Sequence, residues 1–384
     1  MNNNRADLFG LHLTDEAWMS RALMLAHRGV ALAHPNPMVG AVVVKEDRSK
    51  NARAVGEGFH TYEGRKHAEI IALEQARANA RRATLYLNLE PCCHTGRTGP
   101  CTRAIIDAGI ARVVVAMKDP NPRVAGRGIR ELRSAGIAVT VGVREADARQ
   151  LNEAFAKWIR TKLPFVTLKT ALTLDGQIAA RAGSATWLTS EASREEVQRM
   201  RHESDALLTG IGTVLADNPR MTDRTRLPRR RPLVRAIVDS KLRMPVKSGI
   251  LKSAKNDVLI FTTQSADSAK AKSLQKAGAE IVQVRARGGH VDLREVLREM
   301  GKREFLNIIL EAGSEFNGAM LAAGLVDKMV LFYAPKIMGG GGVPMARVPS
   351  QWFSRTPALS QLSFRRYGPD FVVQGYFHDV YRNH

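Results

Sequence analysis

The sequence predicts an α/β protein of two domains, and three observations carry that prediction. Apolar runs of strand length alternate with helix-length amphipathic stretches along the chain. The alternation restarts after Lys162-Leu163-Pro164. With 384 residues the chain is too long for one ordinary core. The domains are therefore placed at residues 1–163 and 164–384.

In the first domain, Thr14 before Asp15 and Glu16 reads as a helix start and Gly29 as its stop. Residues 41–44 read as a buried strand with residues 55–60 as its hairpin partner. A helix over 68–80, a strand over 85–89, a helix over 101–108, a strand over 113–116, a helix over 127–134 and a strand over 137–141 follow, implying parallel crossovers. One helix from about 145 to 160 leads to the boundary. In the second domain, strands are expected at 166–173, 206–209, 234–239, 258–262, 281–284, 307–311 and 328–334. Helices are expected at 190–202, before Gly278, at 292–300 and at 318–323.

Composition narrows the function classes. An apolar fraction of 44% with 25% charged residues is that of a globular protein. No run approaches the ~18 apolar residues of a membrane helix. The N-terminus has no apolar core behind a basic start, so a cytoplasmic location is expected. A net charge of +21 invites a nucleic-acid reading, but the charge is spread along the chain and its runs, such as Arg229-Arg230-Arg231, are short. Aromatics at 6% are thin for base stacking. A basic solvated surface that attracts small phosphorylated ligands is expected, with no polynucleotide partner and no membrane.

All three cysteines lie between Cys92 and Cys101, which argues for a metal or reactive site over a disulfide framework. His67-Ala68-Glu69 opens a helix, Cys92 follows a strand, and Cys101 opens the next helix. One imidazole and two thiolates make a three-ligand zinc set with a fourth position open, the pattern of catalytic zinc. Zinc lowers the pKa of a coordinated water toward ~7. Glu69, two residues from a ligand, is placed to take that proton and return it to ring nitrogen and leaving ammonia. His-x-Glu with Pro-Cys and a later Cys is the zinc deaminase signature. A structural zinc knuckle is the alternative, and it gives Glu69 no role. Cys93 is left as a packing residue or a neighbour of the ligands.

His34-Pro35-Asn36-Pro37-Met38-Val39-Gly40, His67-Ala68-Glu69 and the run Glu90-Pro91-Cys92-Cys93-His94-Thr95-Gly96-Arg97-Thr98-Gly99-Pro100-Cys101 resemble the bifunctional riboflavin deaminase/reductase family. Nucleoside and nucleic-acid deaminases usually separate the two cysteines by about two residues; here eight intervene, as in the riboflavin branch. Asp119-Pro120-Asn121-Pro122 and Val124-Ala125-Gly126-Arg127-Gly128 extend the match. Gly99 stands where the family usually has proline, a change expected to alter loop stiffness and not ligation. The resemblance implies a cytidine-deaminase-like first domain of α/β/α layers. It would act on 2,5-diamino-6-ribosylamino-4(3H)-pyrimidinone 5′-phosphate. Asn36 would hold ring or ribose; its other reading is a turn residue between two prolines. The alternative function is a nucleic-acid-binding zinc deaminase.

Read from its residues, the second half says less. Gly210-Ile211-Gly212 begins like a dinucleotide fingerprint but Leu215 takes the third glycine position. Gly339 to Gly342 either cradles phosphate or turns the chain. Leu168-Lys169, Leu174-Asp175-Gly176, Trp187-Leu188-Thr189-Ser190, Thr213 to Pro219, Val238-Asp239-Ser240, Glu311-Ala312-Gly313 and Ala334-Pro335-Lys336 resemble the same family's reductase. That implies a dihydrofolate-reductase-like α/β domain using NADPH to reduce the ribosyl group to ribityl. By position, NADPH contacts fall at Leu172, Trp187, Thr213, Asp217 and Ser240. They continue at Gly313, Ser314, Glu315, Phe316, Asn317, Gly318 and Ala319, which suit phosphate at a helix N-terminus. Substrate contacts fall at Lys169, Ala185, Arg201, Met221, Arg224 and Glu311, with Arg201 and Arg224 suited to the 5′-phosphate. Ala185 stands where serine is often found. Lys169 and Asp217 are the candidates for polarising the sugar oxygens. A homo-oligomer, dimer or tetramer, is expected.

Overall fold

A computed structural model describes residues 14–47, 49, 51–64, 66–94, 99–180, 188–348 and 358–382. The chain divides into two compact units, Met1–Arg160 and Thr161–His384.

The first unit is a mixed sheet between two helical layers. Its elements run α1 (Asp15–His27), β1 (Gly40–Glu46), β2 (Ala52–Phe59), α2 (Ala68–Ala76), β3 (Thr84–Leu89), α3 (Cys101–Asp107), β4 (Arg112–Met117), α4 (Arg127–Ser134), β5 (Ala138–Val141), α5 (Glu145–Leu151) and α6 (Glu153–Thr161). The sheet order is β2-β1-β3-β4-β5. The hairpin and the β1–β3 pair are antiparallel, while β3, β4 and β5 run parallel. Strand alternation sorts the core. Ala41, Val43, Leu85, Leu87, Val113 and Val115 pack on α2, α3 and α4. The opposite face is covered by α1 and α5. Gly40 permits α1 to lie close, because a Cβ there would sit 2.0 Å from the Ala22 carbonyl oxygen.

The single helix expected over 145–160 is broken at Asn152 (φ −110°). Its side chain leaves the helix to bind the backbone of Met38, accepting from the amide at 2.8 Å and donating to the carbonyl at 3.0 Å. That tertiary demand overrides a continuous helical pattern.

The second unit is built on a nine-stranded sheet. In chain order it contains β6 (Phe165–Thr173), β7 (Gln177–Ala179), α7 (Glu191–His202), β8 (Ala206–Gly210), α8 (Ile211–Asp217), β9 (Val234–Val238), α9 (Gly249–Lys252), β10 (Val258–Thr262), α10 (Ser268–Lys276), β11 (Ala279–Gln283), β12 (Ala286–Arg287), β13 (His290–Val291), α11 (Leu293–Lys302), β14 (Asn307–Leu310), α12 (Ser314–Ala322), β15 (Lys328–Ala334), β16 (Val343–Pro344), β17 (Ser360–Tyr367) and β18 (Asp370–Tyr376). The sheet order is β11-β10-β9-β8-β14-β6-β15-β18-β17. It is parallel from β11 to β15 and antiparallel over the last hairpin. One face packs on α11 and α12 through Val296, Met300 and Met320; the other packs on α8, α9 and α10 through Val214, Ile250 and Leu274.

Two features depart from expectation. The helix expected at 318–323 begins at Ser314, with Gly313 as its N-cap. The β17–β18 hairpin has no counterpart in the sequence reading, because charged residues interrupt the apolar alternation of an exposed edge strand. What the topology supplies for function is an edge. β6, β14, β8 and β9 are parallel neighbours, so their carboxyl ends open on one side of the sheet, where α/β sheets bind ligands.

Candidate active sites

In the first unit, three element ends converge. His67 is the N-cap of α2 in extended conformation (φ −74°, ψ 156°). Cys92 follows β3, and Cys101 is the first residue of α3. His67 Nδ1 lies 3.1 Å from Cys101 Sγ and 3.5 Å from Cys92 Sγ, and the three ligand atoms lie within 4.8 Å of one another. Tetrahedral zinc, with bonds of about 2.0 Å to nitrogen and about 2.3 Å to sulfur, sets N···S edges near ~3.6 Å. The donors already stand at ligand spacing.

The electrostatics fit a cation as well. A hydrogen bond from Cys101 outweighs burial and, with the imidazole, pushes the Cys92 thiol down to about 4. The same shared hydrogen bond, with burial, pushes the Cys101 thiol up. Two sulfurs sharing one proton are a donor pair that a metal completes by replacing that proton. Glu69, one residue into α2, is only 4% exposed. Burial pushes its carboxyl up, which suits a group that must hold and pass a proton.

Asn36 stands beside this cluster's histidine neighbour. His60 Nδ1 is 2.9 Å from the Lys66 carbonyl, which can only accept, so Nδ1 carries the proton. Nε2 then accepts from Asn36 Nδ2 at 2.9 Å, and burial keeps the ring neutral by pushing its pKa down. One of the two N–H groups of the Asn36 amide is therefore committed; the second N–H and the acceptor oxygen are what it offers a substrate. Met38, two residues on, is gripped by Asn152 and also by Asn88, which donates to its carbonyl at 2.9 Å.

Glu90 is the residue that sequence reasoning passed over. Its buried carboxylate accepts from the amides of Asp119 (3.1 Å), Gly126 (2.8 Å) and Ile129 (3.2 Å). It thus ties the chain entering Pro91-Cys92 to the loop before α4. Gly128 allows that contact, since a Cβ there would lie 2.2 Å from the Pro91 carbonyl oxygen. Burial, with the charges of Glu90 and Cys92, pushes Asp119 up to about 7. The available signal was an acidic residue directly after an apolar strand and directly before Pro91-Cys92.

In the second unit, a cleft of about 1520 Å³ opens at the carboxyl edge of the sheet. Lys169, Arg201, Met221, Arg224, Glu311, Thr213, Asp217 and Ser240 line it, as do Gly313, Ser314, Glu315, Phe316 and Ala319. Ala185 and Trp187 lie outside the described residues. Leu172, Asn317 and Gly318 are not in the lining. Leu172 is 2% exposed within the core. Asn317 donates to the carbonyls of Ala312 and Met345. Gly318 is a packing position, where a Cβ would lie 1.7 Å from the Arg347 carbonyl oxygen.

Glu311 organises the floor of the cleft. Arg201 grips it bidentately, Nε to Oε1 at 2.7 Å and Nη2 to Oε2 at 2.9 Å, and Lys169 Nζ lies 3.4 Å from Oε2. Burial would raise the Glu311 carboxyl, yet the charges of Arg201 and Lys169 hold it down to about 2. Arg201 also donates through Nη1 to the Thr222 carbonyl at 3.1 Å. Three of its five N–H groups are therefore occupied within the protein. Above this floor, the Gly313 amide donates to Thr213 Oγ1 at 3.1 Å, bringing the N-termini of α8 and α12 together. The buried Ser314 Oγ, on the first residue of α12, has no hydrogen-bond partner among the described residues.

Known proteins match both units. The family model described as the cytidine and deoxycytidylate deaminase zinc-binding region matches residues 13–117, and that of the RibD C-terminal domain matches residues 164–373. The riboflavin biosynthesis protein RibD of Aquifex aeolicus (strain VF5) is 42% identical over 85% of this chain and 88% of its own. That of Escherichia coli (strain K12) is 38% identical over 94% of this chain and 99% of its own. The structure of Acinetobacter baumannii RibD (form 1) superposes with a TM-score of 0.82 at 34% identity, covering 94% of this chain and 98% of that one.

Two outcomes follow from this geometry. Cys101→Ser should lose bound zinc, measured by atomic absorption after dialysis, because two donors remain where three converge. Arg201→Ala should lower the stability of the second unit by up to about 3–5 kcal/mol in urea titrations, because it leaves the buried Glu311 carboxylate only the longer contact to Lys169. Unchanged zinc content, or an unchanged urea midpoint, would contradict these assignments.

Proposed function

Since the chain belongs to the RibD family of bifunctional riboflavin-biosynthesis deaminase/reductases, we propose that residues 1–163 deaminate 2,5-diamino-6-ribosylamino-4(3H)-pyrimidinone 5′-phosphate and residues 164–384 then reduce its ribosyl group to ribityl with NADPH. The observation that carries the first half is the convergence of His67, Cys92 and Cys101 with Glu69 buried beside them.

Zinc held by the three ligands supplies Lewis acidity and water activation at neutral pH. Glu69 accepts the proton released when the C–O bond forms at the ring carbon bearing the 2-amino group. It returns protons to ring nitrogen and then to the departing amine, so the C–N bond breaks with ammonia as leaving group. Asn36, oriented through His60, holds ring or ribose with the amide groups that His60 leaves open.

In the cleft, NADPH supplies the hydride. The α12 N-terminus and Ser314 bind its pyrophosphate. Lys169, fixed against Glu311, polarises the sugar oxygen, and Asp217 is the second candidate for that role. Arg224 takes the substrate 5′-phosphate with the N–H groups that Arg201 has left. We assign the enzyme to the cytoplasm and to a homo-oligomer; among the described residues no helix is long and apolar enough to cross a membrane.

Glu69→Gln tests the order of the two steps. Zinc content should survive, because Glu69 is not one of the three donors. Ammonia release should fall by ~10²–10⁴-fold, the usual worth of general acid–base catalysis. Supplied with the deaminated ribosylaminouracil phosphate, the variant should oxidise NADPH near the wild-type rate. Rapid NADPH oxidation by the variant on the diamino compound would show that reduction can come first.

A further inference from the structure

We propose that Asp223 is a positioning residue for the reductase step. It locks the loop after α8 in the shape that presents Met221, Thr222 and Arg224 to the phosphorylated substrate, and so governs how tightly that substrate is held. The inference rests on the reductase reading above.

The first observation is the direction in which each loop residue faces. Pro219, Arg220, Met221, Thr222 and Arg224 all line the cleft, and Asp223 does not. Its carboxylate is turned into the protein and takes four hydrogen bonds there. Oδ2 accepts from Arg229 Nη1 at 2.9 Å and from His202 Nδ1 at 3.1 Å. Oδ1 accepts from the amide of Thr225 at 2.9 Å and from its hydroxyl at 2.8 Å. Burial would raise the carboxyl, yet the bonds from Thr225 and His202 and the charge of Arg229 hold it down. A carboxylate only accepts, so His202 Nδ1 carries the proton. Arg229 is fixed at its far side by the carbonyls of Ser204 and Arg231, at 2.8 and 2.7 Å.

The second observation is a strained backbone held by many grips. Met221 is left-handed (φ 52°), as are Asn218 (φ 44°) and Arg226 (φ 61°) on either side of it. Residues other than glycine keep that conformation only where their surroundings over-determine it. Here the surroundings are chiefly one face of α7, on which Gln198, Arg201 and His202 follow the i, i+3, i+4 spacing of a helix. Gln198 Oε1 accepts from the Arg224 amide at 2.9 Å, Arg201 Nη1 donates to the Thr222 carbonyl at 3.1 Å, and His202 holds Asp223. From β9 the buried Arg235 donates to the Arg220 carbonyl at 3.1 Å. Among these grips, the one on Asp223 runs through a side chain of the loop and the others through its backbone. A substitution in the loop can therefore release that grip alone.

The floor of the cleft has bonds of its own. Arg201 holds Glu311 bidentately and Lys169 adds its contact, and none of these passes through the loop. Releasing Asp223 therefore frees Met221, Thr222 and Arg224 while Glu311 and Lys169 stay in place. The loop then spends only a fraction of its time in the receptive shape, and the apparent affinity for substrate falls by that fraction. Binding lost equally from ground state and transition state raises KM and leaves kcat unchanged.

The test is steady-state NADPH oxidation on the deaminated ribosylaminouracil phosphate by the full-length wild type, Asp223→Asn and Thr225→Val, with thermal midpoints measured alongside. Asp223→Asn is nearly isosteric, but an amide has one acceptor oxygen and cannot serve Thr225 and the His202–Arg229 pair together. It should raise the KM for substrate by about tenfold, as when the receptive loop falls to about a tenth of the population. Its kcat and its KM for NADPH should stay within about twofold of wild type. Thr225→Val removes one of the four bonds and touches no charge, so it should raise the same KM by about threefold. A folded Asp223→Asn with an unchanged substrate KM would overturn the positioning role. So would kcat or the NADPH KM moving with the substrate KM, which is the mark of general damage to the fold. Should Asp223→Asn fail to fold, Thr225→Val decides on the same criteria. A wild-type protein that does not oxidise NADPH on this compound would overturn the reductase reading, and this inference with it.

Discussion

Glu90 and Glu311 are each the first residue beyond a central strand, Glu90 after β3 and Glu311 after β14. A carboxylate at that point leaves water only if donors surround it, and each unit builds its site from the donors it recruits. Glu90 uses backbone amides, drawing the loop that begins at Asp119 and the start of α4 onto the segment that delivers Cys92. Glu311 uses side chains, drawing Arg201 from α7 and Lys169 from β6 onto the cleft floor. The two solutions suit different chemistry. Amide donors leave the metal site free of competing cations, whereas paired cations give the cleft a fixed polar floor against which a sugar can be held.

Around each carboxylate, supporting groups fix what the reacting residues cannot fix alone. The Asn152 amide breaks a helix to hold Met38, and His60, locked in one tautomer by the Lys66 carbonyl, turns Asn36. In the second unit, Thr213 joins two helix N-termini and Asp239 closes the turn after β9. The Asn152 and Thr213 supports join residues about a hundred positions apart, so preorganisation there depends on the completed fold.

That dependence explains what was legible beforehand. His67, Cys92, Cys101 and Glu69 could be read because ligand chemistry restricts residue type and because each sits at an element end that the pattern reveals. The alternation of strands and helices was readable for the same local reason. Glu90, His60 and Asp239 were not, since a buried polar residue is identified by its partners and those lie up to 39 positions away. The break at Asn152 was hidden because helical periodicity continues across it. Leu172 and Gly318 were placed at the cofactor by position alone; the Leu172 side chain is buried in the core and Gly318 packs against the Arg347 backbone.

The central claim is that one chain performs two reactions in a fixed order at separate sites. It is tested most directly by incubating the zinc-loaded wild-type protein with the diamino substrate, first without NADPH and then with it. Ammonia and nicotinamide absorbance are followed in the same sample. The account predicts full ammonia release before NADPH is added, then oxidation of one NADPH per ammonia already released. Ammonia release that waits for NADPH, or NADPH oxidation without ammonia, would contradict it.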